Sequence, residues 1–251
     1  LYSRVDLNCQ AQKNQFKTTN TQQMKKQKIK VTITTSDLSS AVKEEMWEVY
    51  KGYYNYSKDY FLARIERNTH YSFYRSEGRI VGFTGLRIDR ILVEGRRRLL
   101  IYFGQTVIDA NCRGQSLIPM TGAQLCFRYW RDLLLGRAYF WADALTYKAY
   151  LVFAKTLEEY YPRWNAPTPQ DIQQLVRHIG AKHYGETFDP NTGTVQKDTI
   201  WVSDPSVRIT PRYRLDPDIR FFEQANPRHV EGHGLLTLAP VNARNVRLIM
   251  R

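Results

Sequence analysis

The residues from Thr106 to Ile118 carry the pattern best suited to chemistry. An apolar strand, Thr106-Val107-Ile108-Asp109, runs through Ala110-Asn111-Cys112 to an Arg113-Gly114 turn, and Gln115-Ser116 leads into a helix at Leu117-Ile118. A strand that turns sharply into a helix aims free backbone N–H groups and the positive end of the helix dipole at one point. Such a point is an anion site, and phosphate suits it well. Arg113 sets a cation beside it. An Arg-Gly turn also serves as a plain chain reversal, so the elements around it decide between the two readings.

Residues 1–27 are rich in Gln, Asn, Thr and Lys and poor in large apolar residues, a composition that predicts a mobile basic leader. Beyond it, Ile29, Val31 and Ile33 alternate as in a half-buried strand, and Ser36-Asp37 supply a helix cap before Leu38. Two helices broken near Gly52 are expected between Leu38 and Ile65, with an aromatic stripe that reads as core. Three strands follow, Tyr71–Tyr74, Ile80–Leu86 and Leu99–Asp109, parted by Ser76-Glu77-Gly78 and by the basic loop Glu94–Arg98. After Arg113-Gly114 come a helix to Leu135, a buried strand Ala138–Trp141, and a helix Leu145–Tyr161 that Pro162 stops. A short helix over 167–179 and a strand Thr199–Val202 complete the order, and the Pro- and Arg-rich tail ends in the apolar runs Leu235–Leu238 and Val246–Met250.

The Arg-Gly segment resembles that of the GNAT superfamily of N-acyltransferases, in which Val-X-Pro-X-X-Arg-Gly-X-Gly-X-Gly/Ala joins the fourth strand to the third helix. Ile108 to Ile118 occupy those places; Arg113 and Gly114 agree, whereas Ala110 replaces the proline and Ser116 and Ile118 replace the two later glycines. A second segment is similar to the family's Asn-X-X-Ala-X-X-X-Tyr-X-Lys, represented by Thr146, Ala149, Phe153 and Lys155. The resemblance implies an α/β (α+β) fold over residues 28–203: a central mixed, mostly antiparallel sheet splayed between strands 4 and 5 and flanked by helices. Residues 204–251 would form a C-terminal extension packing on that domain.

It also implies a function, transfer of an acyl group from an acyl-CoA or acyl-carrier-protein thioester to a primary amine in a ternary complex. Backbone N–H groups near Val107 or Ile108 would polarise the thioester carbonyl, and Arg113, Gly114 and the amides of Gln115, Ser116, Leu117 and Ile118 would hold phosphate. Asp143, just past the fifth strand, is the candidate base, with Asp109, His70 and His183 as rivals. Tyr147 and Tyr150 are the candidate acids, because Phe153 stands where the family's tyrosine protonates the thiolate. The acceptor would be a small-molecule amine, an amino acid, or a lysine or ornithine side chain of a peptide. Similarity to fatty-acyl-transferring members leans the donor toward a medium or long acyl chain.

The net charge of +13 calls for an acidic partner, such as a nucleotide cofactor, an acidic acyl carrier protein or nucleic acid. Part of the excess is local, since Arg4, Lys13, Lys17, Lys25, Lys26, Lys28 and Lys30 face only Asp6 in the first thirty residues. A basic nucleic-acid-binding module and a GNAT-shaped binding module without catalysis are the alternative readings. The three cysteines match no zinc spacing, and His229-Val230-Glu231-Gly232-His233 is not the zincin order, so no metal is expected. No Walker loop or Gly-X-Ser-X-Gly elbow occurs, which leaves NTPase and hydrolase readings without support. The absence of a long apolar run and of a signal-like start leads us to expect a cytoplasmic protein.

Overall fold

The computed structural model describes residues 28–93, 95–197 and 205–250. The leader and the expected strand Thr199–Val202 lie outside the described residues. Among the described residues eight strands form one sheet in the order β1-β2-β3-β4-β5-β8-β7-β6. These are β1 Lys30–Thr35, β2 His70–Ser76, β3 Arg79–Val93, β4 Arg96–Ile108, β5 Ala138–Ala144, β6 Phe188–Asp189, β7 Thr194–Gln196 and β8 His233–Pro240. Every neighbouring pair is antiparallel except β4 and β5, which run parallel. The sheet is thus mixed and mostly antiparallel, with helices on both faces.

The helices are α1 Ser40–Tyr50, α2 Lys58–Ile65, α3 Leu117–Arg128, α4 Trp130–Leu134, α5 Tyr147–Thr156, α6 Gln170–Tyr184, α7 Pro217–Ala225 and α8 Ala243–Ile249. Strand alternation divides the core between the faces. Leu99, Ile101, Phe140 and Ala142 turn to one side and pack with α3, α5, α7 and α8. Leu100, Tyr102, Tyr139 and Trp141 turn to the other and pack with α6, while α1 and α2 cover Tyr71, Phe73, Phe83 and Val107 on that side. Among the described residues no helix is long and apolar enough to cross a membrane.

Several expected boundaries move. The cap of α1 is Ser39, whose hydroxyl accepts from the Val42 N–H at 3.4 Å, not Ser36-Asp37. The helix expected over Leu145–Tyr161 is capped by Thr146 and ends at Thr156, because the chain beyond it extends until Tyr161 exchanges backbone hydrogen bonds with Leu238. Most of the basic loop before Leu99 is strand, since β3 and β4 form one long hairpin from Val93↔Arg96 to Gly82↔Ile108. The strand beside β5 is His233–Pro240, paired over Tyr139–Ala144. The division at 203/204 therefore falls inside one sheet, with residues from both sides of it sharing the same core.

The feature that positions the site is a parting of strands. β4 and β5 are in register only from Leu99↔Ala138 to Tyr102↔Trp141, after which they diverge. A bulge accompanies the parting: Gly85 faces Gly104 and Phe83 faces Val107, so Gln105 and Thr106 together oppose Thr84. Gln105 adopts φ 46°, and a bulge of this kind bends its strand and sharpens the local twist. Among the described residues the last part of β4 consequently keeps an unpaired edge.

Candidate active site

A cavity of about 410 Å³ opens along that unpaired edge on the face covered by α3 and α5. Its lining takes in Tyr53, Tyr54, Arg113 and Gly114 together with Phe103, Ile108, Ala149, Gly122, Phe140, Phe153, Leu157 and Ile249. The lining is overwhelmingly apolar. α5 supplies one wall because Ala149, Val152, Phe153 and Thr156 recur at helical spacing on one of its faces.

Backbone polarity on the edge follows from the ladder. Asp109 N–H donates to the Val81 carbonyl at 2.8 Å, so alternation turns the Ile108 N–H away from β3 and into the gap, whereas Val107 directs its own toward β3. The Thr106 and Ile108 carbonyls on the gap side accept from Tyr54 Oη at 3.2 Å and Arg113 Nε at 3.0 Å. Val107 lines the cavity but buries its side chain among the aromatics beneath α1 and α2.

The turn into α3 gathers the remaining sequence candidates. Gly114 has φ 76° and Ser116 φ 55°, left-handed conformations that swing the chain into the helix. Gly114 and Ile118 line the cavity, and Arg113 lies over the Tyr53 ring at 4.8 Å. Leu117 points away, buried with Val31 and Tyr74. Pro119, third in α3, has no N–H and so adds no backbone donor at this helix terminus. Cys112 is buried nearby, and burial raises its thiol pKa, with Asp109 adding to the effect.

On the opposite face a second cavity of about 250 Å³ meets the same parting of strands, and its lining is polar. Asp143, at the end of β5, is buried there. It accepts hydrogen bonds from Tyr102 Oη at 2.9 Å and Tyr184 Oη at 2.5 Å, and forms an ion pair with Lys197. Burial pushes the Asp143 pKa up, but the Lys197 ammonium overrides it and holds the carboxyl below its ordinary value. Lys197 itself is brought down to about 8 by burial, against the opposing pull of Asp143. The Tyr102 ring lies directly over Gly104, where any added Cβ would collide with it. His183 joins this cavity, whereas Asp109 caps Asn111 and His70 stays on β2 beside Thr69.

The two tyrosines considered as acids are placed elsewhere. Tyr150 donates to the Pro162 carbonyl at 3.0 Å and packs on Phe221 and Phe222 of α7. Burial drives its pKa far up. Tyr147 is buried, donates to the Ser206 carbonyl at 3.3 Å and faces Tyr213. Both project from the face of α5 opposite Val152. Sequence reasoning read Tyr53 and Tyr54, which line the apolar cavity, as part of an aromatic core stripe, and passed over Arg87, Tyr184 and Lys197 in the polar cavity. Arg87 alone had a signal, a charge inside the apolar run of β3.

No protein-family model matches the sequence, and no curated protein is found to match it. Solved structures do align with parts of the chain. A probable N-acyltransferase from Enterococcus faecalis aligns at 10% identity and TM-score 0.36, covering 52% of this chain and 34% of that one, so the likeness spans about a third of that protein. The AtaT toxin bound to the C-terminus of the AtaR antitoxin and acetyl-CoA aligns at 17% identity and TM-score 0.35, covering 51% and 82%. An acetyltransferase from Trypanosoma brucei aligns at 17% identity and TM-score 0.37, covering 57% of this chain and 98% of that one.

Proposed function

We propose that the chain is an N-acyltransferase, with a pantetheine thioester in the apolar cavity and an amine in the polar one. The observation that carries this reading is the placement of the two cavities on opposite faces of the sheet at one gap, between β4 and β5. A thioester laid along the β4 edge would present its carbonyl to the Ile108 N–H, as an added strand pairs with an open edge. The amine nitrogen attacks the carbonyl carbon from the polar side; the C–N bond forms, the C–S bond breaks and the thiolate leaves.

The amine proton passes to the neutral form of Lys197, whose pKa burial brings down to about 8 beside Asp143. Phe153 offers no hydroxyl to the departing sulfur. A thiolate is weakly basic enough to take its proton from solvent.

The volume of the cavity and its apolar lining, which includes Gly122, Phe140, Leu157 and Ile249, support a medium or long acyl group. The phosphate cradle lacks the Pro119 amide and carries Ser116 and Ile118 where the family has glycine. That favours a donor held mainly through its pantetheine arm, on CoA or on an acyl carrier protein.

The test is intact mass spectrometry of a broad amine panel incubated with the protein and acyl-CoA and acyl-carrier donors of graded chain length. Acylated products that depend on an open gap are expected. A panel left wholly unmodified by every donor would overturn the reading.

A further inference from the structure

The polar cavity is more basic than an amine site requires. Arg64, Arg67, Arg87 and Lys197 line it, opposed among the described lining residues by the single carboxylate of Asp143. His183 does not neutralise the excess, nor does it add to it at neutral pH: burial, helped by Arg87, lowers its pKa to about 4. An amine substrate approaches as a cation or a neutral base, and a cavity with this surplus repels the cation unless a second group on the substrate answers it.

The hydrogen-bond inventory points the same way. Three buried atoms on the lining have no hydrogen-bond partner among the described residues: His183 Nε2, which stands 3.7 Å from Asp89 Oδ2, and the two donors Arg87 Nε and Gln105 Nε2. Both donors are held in place by their neighbours. The Arg87 guanidinium lies over the Tyr102 ring at 4.1 Å and contacts His183 Nδ1 at 3.3 Å. The Gln105 carbonyl oxygen accepts from Asn68 Nδ2 at 2.5 Å, which fixes the amide so that its N–H group is the one left over. Buried donors without acceptors cost free energy, and preorganised ones mark where a ligand's acceptor belongs.

Resting on the acceptor role given to this cavity above, we infer that its substrate is an amine that also bears a carboxylate, the chemistry of a free amino acid. The carboxylate accepts from Arg87 Nε and Gln105 Nε2 and answers the basic surplus, and the amino group is left toward Asp143 and the gap. Peptide side chains and simple alkylamines lack the second group. The inference therefore narrows the acceptor to a small zwitterion.

The experiment uses the full chain, a thioester donor, and the protein amino acids each matched with its carboxamide and its decarboxylated amine. Acylation is followed by mass spectrometry, and binding without donor by calorimetry. Free amino acids are expected to show a KM and a Kd at least ten-fold lower than their carboxamides. Gln105→Glu, isosteric and still able to accept from Asn68, should erase that preference with a KM effect larger than its kcat effect; Arg87→Lys, which keeps charge but loses Nε, should weaken it. Carboxamides or plain amines that bind and react as well as the acids overturn the inference while leaving acyl transfer intact. Carboxylate-selective binding, lost in Gln105→Glu, with no acylation of any amine upholds the inference and overturns the transferase reading. Neither acylation nor carboxylate-selective binding overturns both.

Discussion

Tyr102 Oη donates to Asp143 Oδ1 at 2.9 Å, across the point where β4 and β5 part company. The bond joins the last paired residue of one strand to the carboxylate at the open end of the other. Tyr102→Phe keeps the ring over Gly104 but removes this donor, so among the described residues Asp143 retains Tyr184 and Lys197. A hydrogen bond to a charged group is worth about 1.5–3 kcal/mol. We expect stability to fall by that order in urea unfolding, and kcat to fall roughly ten-fold or more with KM for the donor little changed. A variant with wild-type kcat would remove Asp143 from proton handling.

Arg113 serves the β4 edge through Nε on the Ile108 carbonyl and stands beside the N-terminus of α3. Arg113→Ala should raise KM for a CoA donor by roughly ten-fold or more, the value of one charge-assisted contact to phosphate. A minimal pantetheine thioester should be affected less. Equal losses for the two donors would confine Arg113 to holding the strand.

The burial of His183 predicts an acid-sensitive fold. Its pKa is lowered in the folded chain from 6.5 to about 4 by burial first and by Arg87 next. The unfolded chain therefore binds the proton more readily between these values, and stability, full above about pH 6.5, is lost as pH falls toward 4. Between pH 7.5 and 5 the loss from this group is on the order of 2 kcal/mol. Urea unfolding at the two pH values should show it for the wild type, and His183→Gln should flatten the dependence by a comparable amount. An unchanged pH dependence in that variant would place the acid sensitivity elsewhere.

The strand, turn and helix around Arg113-Gly114 were legible because alternation, a left-handed glycine and a helical start are written within a dozen consecutive residues. Asp143 was legible as a carboxylate just beyond a buried strand. The polar cavity was not, because Arg64, Arg87, Asp143 and Lys197 come from four separated elements and meet only through sheet pairing. β8 shows the same limit: its apolar run in the tail resembles many others, and only long-range pairing puts it beside β5. Tyr150 sits at a helical spacing that fits either side of α5, and the packing of α7 decides its direction.

The depth of the apolar cavity rests on an absent side chain. Gly122 lies in the middle of α3 and lines the cavity, and a Cβ added there would stand 3.6 Å from Ile249 and 3.8 Å from Phe140, ordinary contact distances. Gly122→Ala should therefore be accommodated, and it should raise stability by about 0.5–1 kcal/mol, since glycine is a poor helix former. Gly122→Leu projects further into the same space and should shorten the acyl chain the cavity accepts. We expect kcat/KM for long-chain donors to fall at least ten-fold in the leucine variant while that for acetyl donors stays within about two-fold, because each methylene excluded from an apolar site forfeits about 0.8 kcal/mol. Chain-length profiles that coincide for wild type and Gly122→Leu would show that the acyl group does not enter this depth, and the cavity would then hold only the pantetheine arm.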